Sequence, residues 1–328
     1  MQLQAALIKN LYGYYLTQCI SVVSKIKIAD HLSSGGRDID DLAKLTGTNG
    51  KKLYRVMRLL VANNIFSEDQ GKSFRNNSLS WFLRTDVEGS LNSFCQLPST
   101  PLFWQSVGQL EANLKSDTLS GTELAFDEKL FPYLEKQGDT SNVFKEAMSD
   151  LSRADVSSIK SHYSFENFET IGDVGGGDGA LLESLVRKNP KCSGILFDQD
   201  HVIQKYKGFA GISPISGNFF ESVPFQADLY ILRHILHDWN DDQCLQILTN
   251  IRKTMAPTSK ILVIELLLQE RGQPNIAQYR DFTMLALTSG FERTFNEYSV
   301  IAEAAGLTCK YVGKLPTEMC LIEMELKT

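Results

Sequence analysis

Glu169-Thr-Ile-Gly-Asp-Val-Gly-Gly-Gly-Asp-Gly-Ala-Leu-Leu182 is the stretch around which the rest of the chain is organised. It reads as a short apolar strand (Thr170 to Val174), a turn with four glycines, and a helix starting near Gly179. The apolar positions Leu181, Leu182, Leu185 and Val186 fall on one face of that helix. Glycines this dense between a strand and a helix mark backbone that turns sharply and lets a ligand approach closely. The turn is therefore expected to hold a nucleotide-type cofactor, on a doubly wound α/β sheet.

The glycines alone leave the cofactor open. Gly175-Gly-Gly177-Asp-Gly-Ala180 also satisfies the G-x-G-x-x-G/A fingerprint of NAD-binding folds, and Asp198 follows at the distance of a ribose ligand. The charges bear on the choice. Asp173 ends the strand and Asp178 sits in the turn, so carboxylates surround the place where a dinucleotide would put its anionic pyrophosphate. S-adenosylmethionine brings an ammonium and a sulfonium there instead, which acidic neighbours favour.

The 328 residues suggest two domains or one large one, with a net charge of −6. Residues 1–95 hold 12 Lys+Arg against 8 Asp+Glu, a balance of +4, which leaves 21 against 31, or −10, for the remainder. No signal-like opening and no long uncharged apolar stretch occurs, so a soluble, cytoplasmic protein is expected. The six cysteines are scattered without a CxxC pair or a Cys/His cluster, and neither a zinc site nor a disulfide framework is expected.

In chain order, residues 3–31 carry apolar and aromatic side chains at helical spacing and predict one long helix in need of a partner surface. Asp38–Gly47 and Asn49–Ala62 read as two helices joined by a tight glycine turn. Ile65–Phe74 then reads as a hairpin, and together these make a winged helix-turn-helix. DNA binding must be weighed because Lys51, Lys52, Arg55 and Arg58 lie on the second helix, but a charge of +4 is modest and such cations also form a solvated face. Residues 94–121 and 126–158 continue with apolar helical spacing. From Phe168 strands alternate with helices: strands at 170–174, 193–197, 212–216, 227–232 and 260–267, helices at 179–188, 201–207, 241–255 and 296–305, and a final hairpin at 310–314 and 319–326.

Leu229-Tyr-Ile-Leu-Arg-His-Ile-Leu-His-Asp-Trp-Asn-Asp-Asp242 places Arg233, His234, His237 and Asp238 just beyond a strand's carboxyl end, where open α/β sheets bind ligands. His237 is the better candidate base. Glu265 ends the next strand and Glu292 follows in Gly290-Phe-Glu-Arg-Thr294, so a histidine and carboxylates would converge on one sheet edge. Methylating a phenol requires such a base: a hydroxyl of pKa about 10 costs roughly 4 kcal/mol to ionise at pH 7. A neutral imidazole accepts that proton, and a carboxylate on its other nitrogen fixes the tautomer. The rest is in-line positioning, for which no metal is needed.

IGDVGGGDGA, LFDQD, RHILHDWNDDQC and GFERTFNEYSVIAEAAGL, occurring in this order, resemble the S-adenosylmethionine-dependent small-molecule O-methyltransferases. That family includes plant caffeate and flavonoid enzymes, acetylserotonin methyltransferase, and bacterial carotenoid and antibiotic tailoring enzymes, and the likeness covers nearly the whole chain. It implies a Rossmann-like methyltransferase sheet with a mostly helical N-terminal winged-helix dimerisation domain: residues 1–95 for dimerisation, 96–160 as a helical bridge contributing to the substrate pocket, and 161–328 for cofactor binding and catalysis. It further implies a homodimer that binds no nucleic acid or membrane and yields S-adenosylhomocysteine. Carried over by motif, Asp173, Gly175, Gly176 and Gly177 line the cofactor's methionine end and Asp198 holds the ribose. Asn218 and Phe219 face the adenine, and Arg233 and Ser152 sit beside the cofactor. His237 is the base, flanked by Glu265 and Glu292, while Phe144, Met148, Met284 and Asp238 border the acceptor. Two departures stand out: Gln199-Asp200 where the family often has Leu-Pro, and Asn218 where it often has aspartate.

The acceptor stays undetermined at this level. Alternatives are N- or C-methylation of an aromatic metabolite, an NAD-dependent oxidoreductase using the same glycine loop, and a winged-helix regulator sensing a metabolite.

Overall fold

The computed structural model describes residues 2–269, 275–288 and 290–327, apart from the side chains of residues 2, 152–154 and 157. In chain order its amino-terminal elements are α1 (Gln2–Leu11), α2 (Gly13–Lys25), α3 (Ile28–His31), β1 (Arg37–Asp38), α4 (Ile39–Thr46), α5 (Gly50–Ala62), β2 (Ser67–Asp69) and β3 (Ser73–Arg75). Short helices follow: α6 (Asn92–Gln96), α7 (Pro101–Gly108), α8 (Leu110–Asn113), α9 (Gly121–Phe126) and α10 (Leu130–Lys136), then the long α11 (Gly138–His162). The chain divides into two compact units, one of residues 1–108 and 128–151, the other of residues 109–127 and 152–328.

In the first unit the expected single opening helix is three. The chain breaks at Tyr12, ahead of Gly13, and again at Lys27, whose φ of 56° is left-handed and cannot continue an α-helix. Asp38 and Asn49 accept the N–H groups of Asp40 and Lys52 and so start α4 and α5. Leu53, Met57 and Leu60 on one face of α5 bury against a core that includes Leu42, Phe66 and Phe74. The cations Lys51, Lys52, Arg55 and Arg58 occupy its exposed side. The wing is three-stranded, in the order β1-β3-β2, because Arg37 and Asp38 pair antiparallel with β3. Leu3, Leu7, Leu11, Tyr14 and Tyr15 on the first two helices and Trp104 on α7 remain exposed, an apolar surface for which the single chain has no use.

The second unit is built on β4 (Thr170–Val174), α12 (Ala180–Lys188), β5 (Ser193–Asp198), α13 (Asp200–Ile203), β6 (Ile212–Ser216), β7 (Leu229–Arg233), α14 (Asp241–Arg252) and β8 (Lys260–Glu265). It ends with α15 (Ile276–Leu287), α16 (Phe295–Ala304), β9 (Leu307–Lys314) and β10 (Cys320–Leu326). The seven strands lie in the order β6-β5-β4-β7-β8-β10-β9, all parallel except β10, which runs antiparallel to both neighbours. Cores cover both faces, and β4, β7 and β8 are buried almost throughout, as strands sandwiched between helices must be. Because β4 pairs with β5 on one side and β7 on the other, the sheet reverses direction at β4, and the carboxyl ends of β4, β7 and β8 open onto one crevice.

In the second unit two helices depart most from expectation. The one expected at 201–207 spans only Asp200–Ile203, and α15 carries no clear apolar period that would have announced it. Its N-terminus is nonetheless set locally, since Asn275 and Gln278 form a reciprocal capping box.

Candidate active site

At the end of β4 the chain turns through Gly175 (φ 76°) and Gly177 (φ 61°), conformations costly for any other residue. At Gly175 a side chain would also strike Ile235, 2.4 Å from its Cδ1. The Gly175 N–H donates to the Phe197 carbonyl, and the Gly177 N–H donates to Asp198 Oδ2 at 2.9 Å. Asp198 Oδ1 accepts from the Gln199 N–H at 2.7 Å, so the carboxylate is locked in place with lone pairs to spare. Asp198, Gln199, Gly217, Asn218, Phe219, Phe220 and Trp239 line a cavity of about 200 Å³. Its floor is an aromatic cluster in which Phe220 and Trp239 meet edge to face at 4.8 Å. Asn218 uses its amide locally, accepting from the Phe220 N–H and donating to Glu221.

Asp173 is buried at the head of this turn. Burial raises its carboxyl to about 7, with Arg233 pulling the other way and Asp198 and Asp178 adding to the rise. A buried carboxyl that ionises only against such resistance is one that a cationic ligand satisfies. An aromatic slot, a fixed ribose-spaced carboxylate, an open glycine turn and a buried acid fit S-adenosylmethionine in its order of adenine, ribose and ammonium. An anionic pyrophosphate would meet Asp173, Asp178 and Asp198 together, which weighs against NAD.

Beyond β7 the chain crosses the crevice through His234, whose φ is 54°, and a short 3₁₀ turn, Leu236–Asp238. Glu265, at the end of β8 and fully buried, fastens this turn: its Oε1 accepts the N–H groups of Ile235, Leu236 and His237 at 2.9, 3.0 and 3.4 Å. Its second oxygen, Oε2, stands 3.6 Å from His237 Nδ1, beyond a hydrogen bond. The carboxylate that bonds the imidazole is Glu292, with Oε1 3.0 Å from Nδ1. On the other side of the ring Asp238 Oδ1 lies 3.7 Å from Nε2. Burial opposes a charged His237, but Glu265, Asp238 and Glu292 outweigh it and push its pKa up to about 10. Burial likewise raises Glu265 and Asp238, both countered by His237.

Sequence reasoning passed over the residues that hold this arrangement together. Arg293, wholly buried, donates from Nη1 to the Leu236 carbonyl at 3.0 Å and from Nη2 to the Trp239 carbonyl and Asp241 Oδ1, both at 2.7 Å. Its guanidinium stacks 4.0 Å from the Phe291 ring. The Phe291 N–H donates to the His237 carbonyl, and the Glu292 N–H donates to Asp281 on α15. Segment 290–294 is thereby riveted to segment 236–241. Asp155, near the end of α11, lies 3.4 Å from His234 Nε2 and 3.8 Å from Arg233. Burial lowers the His234 pKa to about 4, so that ring is neutral at pH 7. The only signal for Arg293 was its place beside Glu292 in GFERT; Asp155 had none.

The remaining candidates are more dispersed. Met284 is buried on α15, where its sulfur accepts a long contact from Thr288. Phe144 and Met148 are half-buried on the part of α11 that belongs to the first unit, and the side chain of Ser152 lies outside the described residues. All six cysteines are free, and none joins a cluster of metal-ligating type among the described residues; His234, His237 and Glu265 do.

Known proteins carry both halves of this architecture. The O-methyltransferase domain family matches residues 110–308, and the O-methyltransferase dimerisation domain family matches residues 8–86. A phenazine O-methyltransferase from Lysobacter antibioticus is 32% identical, covering 98% of this chain and 96% of its own. A 3-amino-4-hydroxybenzoate 4-O-methyltransferase from Streptomyces cremeus is 29% identical over 98% of this chain and 90% of its own. Among solved structures, a methyltransferase of calicheamicin biosynthesis in its S-adenosylhomocysteine-bound form superposes with a TM-score of 0.91 at 27% identity, covering 99% of this chain and 98% of its own. Human N-acetylserotonin methyltransferase in complex with S-adenosylmethionine gives 0.88 at 25%, covering 100% and 99%. Sheet, glycine turn, dimerisation region and relatives agree: the chain belongs to the S-adenosylmethionine-dependent O-methyltransferase family.

Proposed function

We propose that this enzyme methylates a hydroxyl on an aromatic or polyketide-like small molecule, with His237 as general base. The observation that carries the reading is the 3.0 Å bond between His237 Nδ1 and Glu292 Oε1 in a buried site at the sheet's switch point. A carboxylate only accepts, so Nδ1 holds the hydrogen, and in the neutral ring Nε2 is the free lone pair. S-adenosylmethionine, when bound, supplies an electrophilic methyl group on a sulfonium cation. The glycine turn, Asp173, Asp198, Asn218 and Phe219 would hold it, with Arg233 and Ser152 beside it.

The chain's own residues then act as follows. His237 Nε2 takes the acceptor's proton, and Glu292 stabilises the resulting imidazolium. Glu265 acts mainly through the backbone, holding residues 235–237 so that the imidazole keeps its direction. A cation bound nearby opposes the carboxylates and favours the neutral ring. Phe144, Met148, Met284 and Asp238 would border the acceptor. Residues 1–95 would form the dimerisation domain and 96–160 the bridge, with 161–328 catalytic. The exposed apolar side chains of the first two helices support a homodimer, and the six free cysteines suit a cytoplasmic setting. No helix among the described residues is long and apolar enough to cross a membrane.

The test is methyl transfer to a panel of phenols by wild type and His237→Ala, with S-adenosylhomocysteine titrated into both. Loss of about 10²–10⁴-fold in rate with cofactor affinity kept is the expected outcome. Wild-type rates in the variant would remove His237 from the chemistry and favour N- or C-methylation.

A further inference from the structure

Three buried donors point at one spot beside the catalytic crevice. Glu265 is held through Oε1 by backbone N–H groups, which aims Oε2 at the two histidines, 3.6 Å from His237 Nδ1 and 3.9 Å from His234 Nδ1. Among the described residues neither Glu265 Oε2 nor His234 Nδ1 has a hydrogen-bond partner, although both atoms are buried and the Glu265 side chain is 0% exposed. Buried polar atoms rarely go unsatisfied. His234 Nε2 faces the Asp155 carboxylate at 3.4 Å, which places the ring's hydrogen on Nε2 and leaves Nδ1 as a bare lone pair. That is the arrangement in which a carboxylate orients a metal-binding histidine.

We infer that His234 Nδ1, His237 Nδ1 and Glu265 Oε2 form a site for a single transition-metal cation of Zn²⁺ type, and that its occupancy inhibits the enzyme. The three donor atoms lie within 4.8 Å of one another. Zinc bonds of about 2.0–2.1 Å in tetrahedral geometry need donors roughly 3.3–3.4 Å apart, so the 3.6 and 3.9 Å gaps to Glu265 close by about 0.3 and 0.6 Å, and the two imidazoles turn toward each other from within the 4.8 Å envelope. Glu292 Oε2, also buried without a hydrogen-bond partner, is available as a fourth donor. Imidazole and carboxylate together suit Zn²⁺, whereas Mg²⁺ requires an oxygen shell. Entry is past His234, whose side chain is 25% exposed. Binding releases the proton on His237 Nδ1 to solvent and breaks the Glu292 bond. Binding itself stands on geometry alone; inhibition rests on the reading of His237 as base.

The experiment uses the full chain, stripped with a chelator and titrated with Zn²⁺ against a chromophoric competitor, with Mg²⁺ as a parallel titrant. His234→Asn is the main variant, since asparagine tolerates the left-handed backbone at that position. Asp155→Asn is the second, and cooperative melts establish that both fold. One tight equivalent of Zn²⁺ in wild type, weakened at least about tenfold in both variants and matched by no Mg²⁺ uptake, is the expected result. No tight equivalent in wild type, or undiminished binding by folded His234→Asn, overturns the site. Zn²⁺ bound at this site should abolish methyl transfer until a chelator is added. Binding with full activity would leave the site standing and refute His237 as the base.

Discussion

Gly290→Ala should cripple the enzyme without touching any side chain of the site. A Cβ at residue 290 would lie 2.1 Å from the His237 carbonyl oxygen and 2.8 and 2.9 Å from Asp238 Cα and C. All of these are backbone atoms, so no rotamer change relieves the clash, and reaching even 3.0 Å parts the two segments by about 0.9 Å. They cannot part freely, because the Phe291 N–H grips the His237 carbonyl at 2.9 Å and Arg293 grips the Leu236 carbonyl at 3.0 Å. The strain moves His237 relative to Glu292, whichever side yields. Misplacing a reacting group by ~1 Å costs on the order of 10²-fold in rate, equivalent to about 2.7 kcal/mol. Overpacking of this kind also costs about 1–3 kcal/mol of stability. The assay is steady-state methyl transfer to a phenol, with S-adenosylhomocysteine titration and a urea melt on the same protein. We expect kcat to fall about a hundredfold while ligand affinity changes little, since the Gly177–Asp198 bond lies elsewhere. A folded Gly290→Ala enzyme with wild-type kcat would refute the idea that the two segments form one rigid mount for the histidine.

Other perturbations separate the remaining roles. With His237 acting as the proposed base, wild-type kcat/KM should rise with pH along a limb set by that ring, whose three neighbouring carboxylates push its pKa up to about 10. Glu292→Gln removes one of those anions, so the limb should move to lower pH while the plateau falls; a pH–rate profile with an unmoved limb would count against the pairing. Arg293→Met leaves the Leu236 and Trp239 carbonyls without their donor and should cost about 2–5 kcal/mol in a denaturant melt. Asp198→Ala should weaken S-adenosylhomocysteine binding by at least about tenfold in calorimetry, through loss of the proposed ribose contact and loosening of the glycine turn; unchanged affinity would move the cofactor elsewhere.

How much of this was legible beforehand follows from the range over which each feature is encoded. The strand, glycine turn and helix at 170–188 come from neighbouring residues, and the parallel strands were readable as apolar runs bounded by turn residues. A helix such as α15, whose apolar residues are spread around it without a clear period, was not, and the breaks at Tyr12 and Lys27 hide inside an apolar pattern that runs past them. His237, Glu265 and Glu292 could be proposed together because each follows a recognisable strand or motif. Their division of labour could not.

By itself, then, the sequence determined the fold class and the strand–glycine turn–helix unit, and it named the short set of residues proposed for acid–base work, since these depend on local period, glycine placement and residue type. The tertiary structure decided which carboxylate meets the imidazole. Glu292 and Glu265 stand 55 and 28 positions from His237, and only the order of β7 and β8 and the path of segment 290–294 bring one to 3.0 Å and turn the other to the backbone. It also decided that Asp155, 79 positions away, orients His234, and that Arg293 is a buried rivet instead of a surface charge. Hydrogen bonds require positions set to within tenths of an ångström, and for residues so far apart that accuracy comes from the packed sheet.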